Sequence, residues 1–309
     1  MKSLFLMLNK ICILADKHDW HTSVLRTSLK NKNLESVEAK FSDFSFKIDG
    51  SKLLIYFQEK KCNFDGIWVR YINGGNIEEI TYKLSILHLL TISGIYVHNS
   101  ADVIEKTIDK FRTSSLLAIN NIPTPKTFIK TLKTDSTNNF LGFLKNSPFL
   151  HKPVLGSQGK GIISFKEESE FNVKKIPNHV LYLQKFIGNF QDDEFKDIRV
   201  LISNHRILAC VERISDNFIT NASRGGKIKE IQPDKKIRKI AKKISTLFKL
   251  GYGGLDLKFY DNTYYVLEIN SIPSWKATQK VIKKNISDTL IEDFLEICIN
   301  EKKEYSTLS

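Results

Sequence analysis

Two carboxylates near the C-terminus, Asp256 and Glu268, lie in segments where apolar and polar residues alternate. Residues 255–260 and 264–270 each show the period of two that is typical of a β-strand. Asp256 lies on the polar face of the first segment, and Glu268 lies with Asn270 on the polar face of the second. The three residues between the segments are predicted to form a hairpin loop. Such a loop would place Asp256 directly opposite Glu268.

This pair of carboxylates indicates a divalent cation site. Like charges directly opposite each other on a sheet are destabilising unless something positive lies between them. Carboxylate and amide oxygens suit magnesium, which proteins bind through a few carboxylates together with substrate phosphates. The alternative is a solvated sheet face, where carboxylates are common.

A glycine-rich loop at residues 151–161 is the second candidate for chemistry. Its glycines allow the backbone to approach an anion closely and to expose amide groups. Lys152 and Lys160 add positive charge for phosphate. The spacing differs from that of a P-loop, and a strand-like segment follows instead of a helix. The alternative is an ordinary glycine-rich hairpin.

Arginines in the middle of the chain form a third candidate group. Arg199 and Arg213 lie in neighbouring strand-like segments, and Arg224 lies with Asn221 in a polar glycine turn. Arginine forks match carboxylates and phosphates, although any one of these side chains alone is more typical of a protein surface.

A fourth candidate is the apolar segment at residues 181–188. It is predicted to be either an adenine-binding hinge or a simple core strand.

Composition bounds the class of protein. The chain has 309 residues, a net charge of +13 and 41% hydrophobic residues, which is typical of a globular protein of about two domains. Only eight of its 47 basic residues are arginines, so nucleic-acid recognition is not expected. The four scattered cysteines favour a reducing, cytoplasmic location. No apolar run is long enough to predict a membrane span.

Strands alternate with helices in the first hundred residues, which predicts a parallel sheet covered on both faces. Its predicted strands are 11–15, 53–57, 66–71 and 95–98, and its predicted helices are 21–31 and 80–92. Two consecutive helices are predicted at 103–110 and 111–119, and strands dominate from residue 128. Later helices are predicted around 237–248 and 288–299. In the last strand, Tyr265, Leu267 and Ile269 are predicted to point into the core.

The order of these pieces resembles the ATP-grasp superfamily, and within it the RimK-type α-L-glutamate ligases. The resemblance covers about residues 95–290 and rests on the ordered set of motifs. It implies an α/β (α+β) chain with an ATP-grasp fold and an N-terminal, Rossmann-like pre-ATP-grasp domain. The implied domains are residues 1–98, then a central subdomain at 99–182 with the glycine-rich loop, then a C-terminal subdomain at 183–309 with the magnesium site.

The resemblance also implies roles for individual residues. The phosphates of ATP would be bound by Lys110, Lys152, Gly156, Ser157, Gly159, Lys160 and Gly161. The adenine hinge would be Gln184, Lys185, Phe186 and Ile187, and Asp197 would hold the nucleotide side. Two magnesium ions, with manganese as a substitute, would be bound by Asp256, Glu268 and Asn270. Arg199, Arg213 and Asn221 would be the catalytic residues, with the two arginines gripping the acceptor carboxylate or its acyl phosphate.

The implied reaction is carboxylate–amine ligation. ATP phosphorylates a substrate carboxylate, and the amine of L-glutamate attacks the acyl phosphate to form an amide. Such a reaction requires positioning and charge neutralisation more than a nucleophilic side chain. The partners implied are therefore a small acceptor carboxylate and L-glutamate, with a possible homo-oligomer and with no nucleic acid or membrane.

Two departures from the RimK pattern bear on the acceptor. Ile219 stands where many members have a basic residue, and residues 270–276 end in Pro-x-Trp-Lys. That ending, together with Asp19-Trp20-His21, is similar to ligases that glutamylate tetrahydromethanopterin-type carriers. Trp275 is predicted either to stack on a ring or to pack at a helix start.

The resulting hypothesis is an ATP-dependent glutamate ligase acting on a small coenzyme such as a tetrahydromethanopterin-type pterin. One alternative is a ligase acting on a protein C-terminus or a peptide. An alternative from another class is a nucleotide-binding scaffold without catalysis, which the carboxylates and Lys152 disfavour.

Overall fold

The computed structural model describes residues 8, 10–131, 147–156, 159–167, 170–171, 180–218, 220 and 226–308. Its strands are β1 (Lys10–Ala15), β2 (Glu35–Ala39), β3 (Phe44–Asp49), β4 (Lys52–Phe57), β5 (Lys60–Lys61), β6 (Gly66–Tyr71), β7 (Tyr96–His98), β8 (Thr127–Thr131), β9 (Phe149–His151), β10 (Ile163–Phe165), β11 (Val180–Lys185), β12 (Phe195–Ser203), β13 (Arg206–Ser215), β14 (Lys227–Glu230), β15 (Tyr252–Tyr260) and β16 (Thr263–Asn270). Its helices are α1 (Trp20–Lys30), α2 (Ile77–Ile92), α3 (Ala101–Ile108), α4 (Lys110–Ile119), α5 (Lys235–Phe248), α6 (Lys276–Gln279) and α7 (Ile286–Leu308).

The first sheet is parallel and has the strand order β2-β1-β6-β7. Five consecutive residues of β1 are fully buried, as expected for a strand covered on both faces. The predicted strand at 53–57 does not belong to this sheet. It is β4, which pairs antiparallel with β3 and β5 in a small separate sheet. Strand β2, which forms one edge of the parallel sheet, was not predicted, because it is short and mostly polar.

The connections of the parallel sheet leave in opposite directions from β1 and β6. The chain passes through α1 to β2 on one side and through α2 to β7 on the other. The carboxyl ends of β1 and β6 therefore form the topological switch point of the sheet. Crevices at such points are where open α/β sheets bind ligands.

A break between α3 and α4 separates the two helices predicted at 103–119. The predicted end of the first helix at Lys110 is wrong, because Asp109 is extended and α3 ends at Ile108. The Asp109 carboxylate accepts hydrogen bonds from the backbone of Phe111 and Arg112 and so caps α4. The N–H of Lys110 donates to the carbonyl of Val154 at 3.1 Å. Lys110 therefore begins α4 beside the glycine-rich loop.

Two antiparallel sheets follow, with strand orders β10-β9-β11-β8 and β14-β13-β12-β15-β16. Helix α5 covers the larger of these two sheets and buries an apolar stripe at helical spacing. The residues of the stripe are Ile237, Ala241, Ile244 and Phe248. Each isoleucine or phenylalanine of this stripe contributes about 1.5–3 kcal/mol when fully buried. The helix predicted from this spacing is confirmed.

Helix α7 is longer than its predicted range and packs beside the parallel sheet, against α1 and β7. Gly66 at the start of β6 permits this contact, because a Cβ there would lie 2.6 Å from the sulfur of Cys298. None of the described helices is long and apolar enough to cross a membrane.

Candidate active site

The hairpin β15–β16 pairs Asp256 with Glu268, as the sequence predicts. The loop, however, is not the predicted three-residue connection. It is a two-residue turn at Asp261 and Asn262, both with positive φ, as the twist of a tight hairpin favours. A bulge at Leu267 then shifts the register by one residue, which brings Glu268 back opposite Asp256.

The bulge also changes which residues of β16 face the core. Val266 is completely buried in the core, whereas Leu267 lines the cavity described below. Tyr265 is only partly buried. The prediction that Tyr265 and Leu267 point into the core is wrong, because a bulge reverses the alternation of faces. The prediction for Ile269 is confirmed.

A cavity of about 880 Å³, which includes solvent at its mouth, lies between the four-stranded antiparallel sheet that contains β11 and the five-stranded sheet that contains β15 and β16. Most of the residues predicted for the site line it: Lys110, Lys152, Gly156, Gly159, Lys160, Gln184, Lys185, Phe186, Ile187, Asp197, Arg213, Asp256 and Glu268. Apolar side chains that the sequence analysis did not assign to the site complete it, among them Leu150, Ile162, Phe218 and Leu267.

Two lysines supply positive charge to this cavity. Lys152 Nζ donates to Gln184 Oε1 at 2.6 Å, and Lys110 Nζ donates to the carbonyl of Gly156 at 2.6 Å. Burial lowers the pKa of Lys152 to about 8, although the nearby Glu268 opposes that shift. Burial also lowers the pKa of Lys110. A pKa of about 8 keeps Lys152 mostly cationic at neutral pH, as phosphate binding requires.

Asp256 is held by two guanidinium groups. Arg199 Nη2 donates to Asp256 Oδ2 at 3.0 Å, and Arg213 Nη2 lies 3.1 Å from the same oxygen. Burial alone would raise the pKa of Asp256, but the charges of Arg199 and Arg213 lower it below its usual value. Asp256 is therefore ionised within the cavity wall.

Arg213 also binds Asp197, so that the charged groups form a continuous network. Arg213 Nε donates to Asp197 Oδ1 at 2.6 Å, and the hydroxyl of Thr220 donates to Asp197 Oδ2. Sequence reasoning missed Thr220, for which there was no signal. Asp197 lines the cavity, but both of its oxygens already have donors. Its role beside the nucleotide stays a prediction.

Glu268 differs from Asp256, because it has no hydrogen bond or ion pair within the described ranges of the chain. Burial raises its pKa, and the negative charge of Asp256 raises it further. The cations Lys110, Arg199 and Lys152 oppose that shift. A carboxylate that is partly buried without a direct partner is stabilised by an incoming cation.

The oxygen donors fit a hard divalent cation that completes its shell with substrate oxygens. No group of three histidine, cysteine, aspartate or glutamate side chains converges on one point among the residues described. The pair Asp256–Glu268 alone therefore leaves positions for water or phosphate oxygens, as magnesium prefers. Asn270 is the next residue on that face, but its Oδ1 accepts from the N–H of Ile272 at 2.9 Å. Asn270 does not line the cavity.

The hinge-like segment is a core strand whose end reaches the cavity. Residues 180–185 form β11, which is an inner strand of the four-stranded antiparallel sheet β10-β9-β11-β8. Beyond its end, Phe186 and Ile187 line the cavity. The ring of Phe186 stacks on Phe190 with centroids 4.0 Å apart. The segment is therefore a core strand that ends at the cavity, and its role as an adenine hinge stays a prediction.

The remaining predicted residues are placed as follows. Ser157, Ile219, Asn221 and Arg224 lie outside the described residues. Gly161 has a φ of 73° and does not line the cavity. A Cβ on Gly161 would lie 2.9 Å from Cγ of Pro153, which explains the glycine. Trp275 is buried at the start of α6, in agreement with its packing alternative.

Comparison with known proteins gives results consistent with this geometry. Residues 107–294 match the model of the RimK-like ATP-grasp domain. The chain is 27% identical to a tetrahydromethanopterin:α-L-glutamate ligase of Methanococcus maripaludis, over 95% of this chain and 99% of that protein. It is 34% identical to a ligase of the same name from Methanocaldococcus jannaschii, over 65% of this chain and 71% of that protein.

Among solved structures, the chain resembles the ATP-grasp ligase PsnB complexed with a minimal precursor, Mg and ADP. The TM-score is 0.69 at 15% sequence identity, and the match covers 95% of this chain and 98% of that one. At this identity the likeness concerns the fold. The expected ATP-grasp fold is confirmed.

Proposed function

The chain belongs to the RimK-like ATP-grasp family, and we propose that it is an ATP-dependent ligase that adds L-glutamate to a small coenzyme. The acceptor class that we propose is a tetrahydromethanopterin-type pterin carrying a carboxylate. The full-length similarity to a tetrahydromethanopterin:α-L-glutamate ligase supports this acceptor. The observation that carries the proposal is the Asp256–Glu268 pair, which lies in one cavity with Lys110 and Lys152.

The cavity offers ATP a charged end and an apolar end. Lys110, Lys152 and Lys160 would bind the phosphates beside the amide groups of the glycine-rich loop. Leu150, Ile162 and the hinge residues are suited to a planar base. Enclosure by apolar walls strengthens the electrostatic interactions of the lysines with phosphate.

The divalent cation of the proposal is magnesium, with manganese as a substitute and two ions as the expected number. Glu268 and Asp256 would hold it, with Asn270 as an amide ligand. When bound, it neutralises phosphate charge and favours transfer of the γ-phosphoryl group. Because Asp256 is shared with Arg199 and Arg213, the arginines would remain close to the transferring group.

The reaction requires two bond exchanges. An oxygen of the acceptor carboxylate attacks the γ-phosphorus, and the bond from that phosphorus to ADP breaks. The amine nitrogen of glutamate then attacks the acyl carbon and loses a proton, and inorganic phosphate leaves. The residues of this chain bind and orient the reactants and neutralise their negative charge. Arg199 and Arg213 would bind the acyl phosphate. Such positioning contributes a large part of the rate in reactions of two bound substrates.

The test is ADP release by the purified chain with ATP, magnesium and glutamate. The acceptors to compare are a tetrahydromethanopterin-type pterin and a glutamate-ended peptide, with Glu268→Ala as the inactive control. We expect turnover with the pterin only, and none in the control. Turnover with the peptide would change the acceptor to a protein or peptide tail. ATP binding without turnover on any acceptor would favour a scaffold, and no ATP binding would contradict the proposal entirely.

A further inference from the structure

The five residues that follow β16, here called the 271–275 segment, are held by side chains from distant parts of the chain. Asn99 Nδ2 donates to the carbonyl of Ser271 at 2.7 Å. Thr107 Oγ1 donates to Ser271 Oγ at 2.7 Å. The segment continues directly from the strand that carries Glu268 and Asn270. Its position therefore bears on the proposed metal ligands.

The far end of the segment is held by a histidine of α1. The Nε2 atom of His21 lies 3.3 Å from the backbone nitrogen of Trp275 and 3.0 Å from Ser274 Oγ. A backbone N–H can only donate, so Nε2 must be the unprotonated nitrogen that accepts. The other ring nitrogen, Nδ1, lies 2.8 Å from Asp19 Oδ2 and 3.1 Å from Arg70 Nη2. The ring is therefore contacted by side chains or backbone at both nitrogens.

Asp19 and Arg70 stabilise this arrangement from the switch point of the parallel sheet. Asp19 caps α1, and its carboxylate lies beside Nδ1 of the ring and 3.6 Å from Arg70 Nη2. Arg70 Nη1 contacts the carbonyl of Ile272 at 3.4 Å. Asp19, His21 and Arg70 therefore form a network at the carboxyl ends of β1 and β6 that contacts the 271–275 segment.

The ring is neutral under ordinary conditions. Burial and the charge of Arg70 together lower the pKa of His21 to about 4, whereas Asp19 opposes the shift. His21 is 5% exposed and Trp275 is 1% exposed. Loss of the acceptor would leave the buried N–H of Trp275 without a partner, which is costly.

We propose that His21 is a positioning residue of the active site. From the first turn of α1 it holds the 271–275 segment and, through it, the end of β16 that carries Glu268 and Asn270. It does not contact the proposed metal ligands itself. This inference rests on the proposed function, because it assumes that these two residues bind the divalent cation.

The test compares His21→Leu with His21→Gln. Leucine removes the acceptor, whereas the amide oxygen of glutamine can accept from the same N–H. The control is Ser28→Ala on the same helix, which removes a 2.6 Å bond from Ser28 Oγ to Asp288 on α7 but nothing from the 271–275 segment. The readout is the magnesium concentration that gives half-maximal ATP binding, measured by calorimetry, together with the melting temperature.

We expect His21→Leu to raise that magnesium concentration about tenfold, as is typical when a group that orients a metal ligand is lost. His21→Gln should restore most of the effect. Ser28→Ala should lower the melting temperature and leave the magnesium dependence unchanged. A His21→Leu chain that loses stability with unchanged magnesium dependence would overturn the proposal, since the role would then be structural only.

A second variant keeps the test decisive if His21→Leu does not fold. Asp19→Asn retains a good helix cap but removes the negative charge beside Nδ1 of His21. It should raise the magnesium requirement by a smaller factor, and no change would count against the proposal. If the unaltered chain binds no ATP with magnesium, the failure belongs to the proposed function and not to His21.

Discussion

Asp256 and Glu268 face each other across β15 and β16, yet only Asp256 is paired with cations within the described residues. Their pKa values consequently shift in opposite directions. Burial raises both, but Arg199 and Arg213 reverse the shift for Asp256, whereas Asp256 itself adds to the shift of Glu268. The site therefore presents one fixed anion and one carboxylate that is available for a ligand.

The first prediction concerns this available carboxylate. Glu268→Gln removes a buried negative charge that has no direct partner, so the free energy of unfolding should stay the same or rise by about 1 kcal/mol. Ligase turnover should fall at least about 100-fold, because one preorganised charge is lost. Urea denaturation and ADP release measure the two effects. The matched control is Glu292→Gln at a surface ion pair with Lys32, which should alter neither by much. Strong destabilisation by Glu268→Gln would contradict this account of the site.

The second prediction concerns Arg213, which lies between two buried carboxylates. Arg213→Met should lower the free energy of unfolding by about 3–5 kcal/mol, because Asp197 and Asp256 would lose a shared partner. Adding Asp197→Asn should recover part of that loss. Arg26→Met, at an exposed pair with Glu38, should cost about 0–1 kcal/mol. Equal costs for the two arginines in urea denaturation would show that the buried network is unimportant.

The third prediction is a pH dependence of stability due to His21. Its pKa is about 4 in the folded chain against an ordinary 6.5, so the unfolded chain binds more protons between these values. The free energy of unfolding should therefore fall as the pH is lowered from about 6.5 to about 4. The charged groups near the ring are Asp19, Arg70 and Lys276. The pKa of Asp19 is also lowered, because its hydrogen bond to His21 and the charge of Arg70 outweigh the effect of burial. The stability that ionised Asp19 contributes is therefore also lost on acidification, but at lower pH than the effect of His21.

The variant His21→Gln isolates the contribution of histidine to that profile. We expect its free energy of unfolding to vary less with pH across the same range than that of the unaltered chain. Denaturation in urea at several pH values provides the measurement. Identical pH profiles would mean that His21 titrates normally in the folded chain.

The fourth prediction concerns the packing of α7 on the parallel sheet. Gly66→Ala should lower the free energy of unfolding by about 1–3 kcal/mol, because the new Cβ would lie 2.6 Å from Cys298 Sγ and 2.9 Å from Phe294 Cζ. Cys298→Ala in the same chain should relieve part of the cost. Gly74→Ala is the control, since nothing lies within 4 Å of its Cβ position. The packing account fails if thermal denaturation finds both glycine variants equally stable.

Local patterns predicted the parts of the fold that local rules determine. Alternation in β15 and β16 predicted the Asp256–Glu268 pairing, and a period of 3.6 predicted α5. The bulge at Leu267 was not predictable, because it leaves no mark in a pattern of apolar residues. The correct pairing nevertheless followed, since a three-residue loop and a two-residue turn with a bulge give the same register.

Contacts between distant segments were the least predictable features. The bond between Asp197 and Arg213 depends on the register of β12 and β13, and the bonds of His21 to Ser274 and Trp275 join residues more than 250 positions apart. Residue types alone indicated that the arginines could bind anions. Residue types did not indicate that Arg199 and Arg213 would form ion pairs with Asp197 and Asp256 of the same chain.

The most direct test of ligation through an acyl phosphate uses an acceptor whose carboxylate carries oxygen-18. The purified chain would be incubated with this acceptor, ATP, magnesium and glutamate, and the phosphate and nucleotide products would be analysed by mass spectrometry. The account predicts ADP as the nucleotide product and one labelled oxygen in the inorganic phosphate. Labelled AMP, or amide formation with unlabelled phosphate, would contradict it.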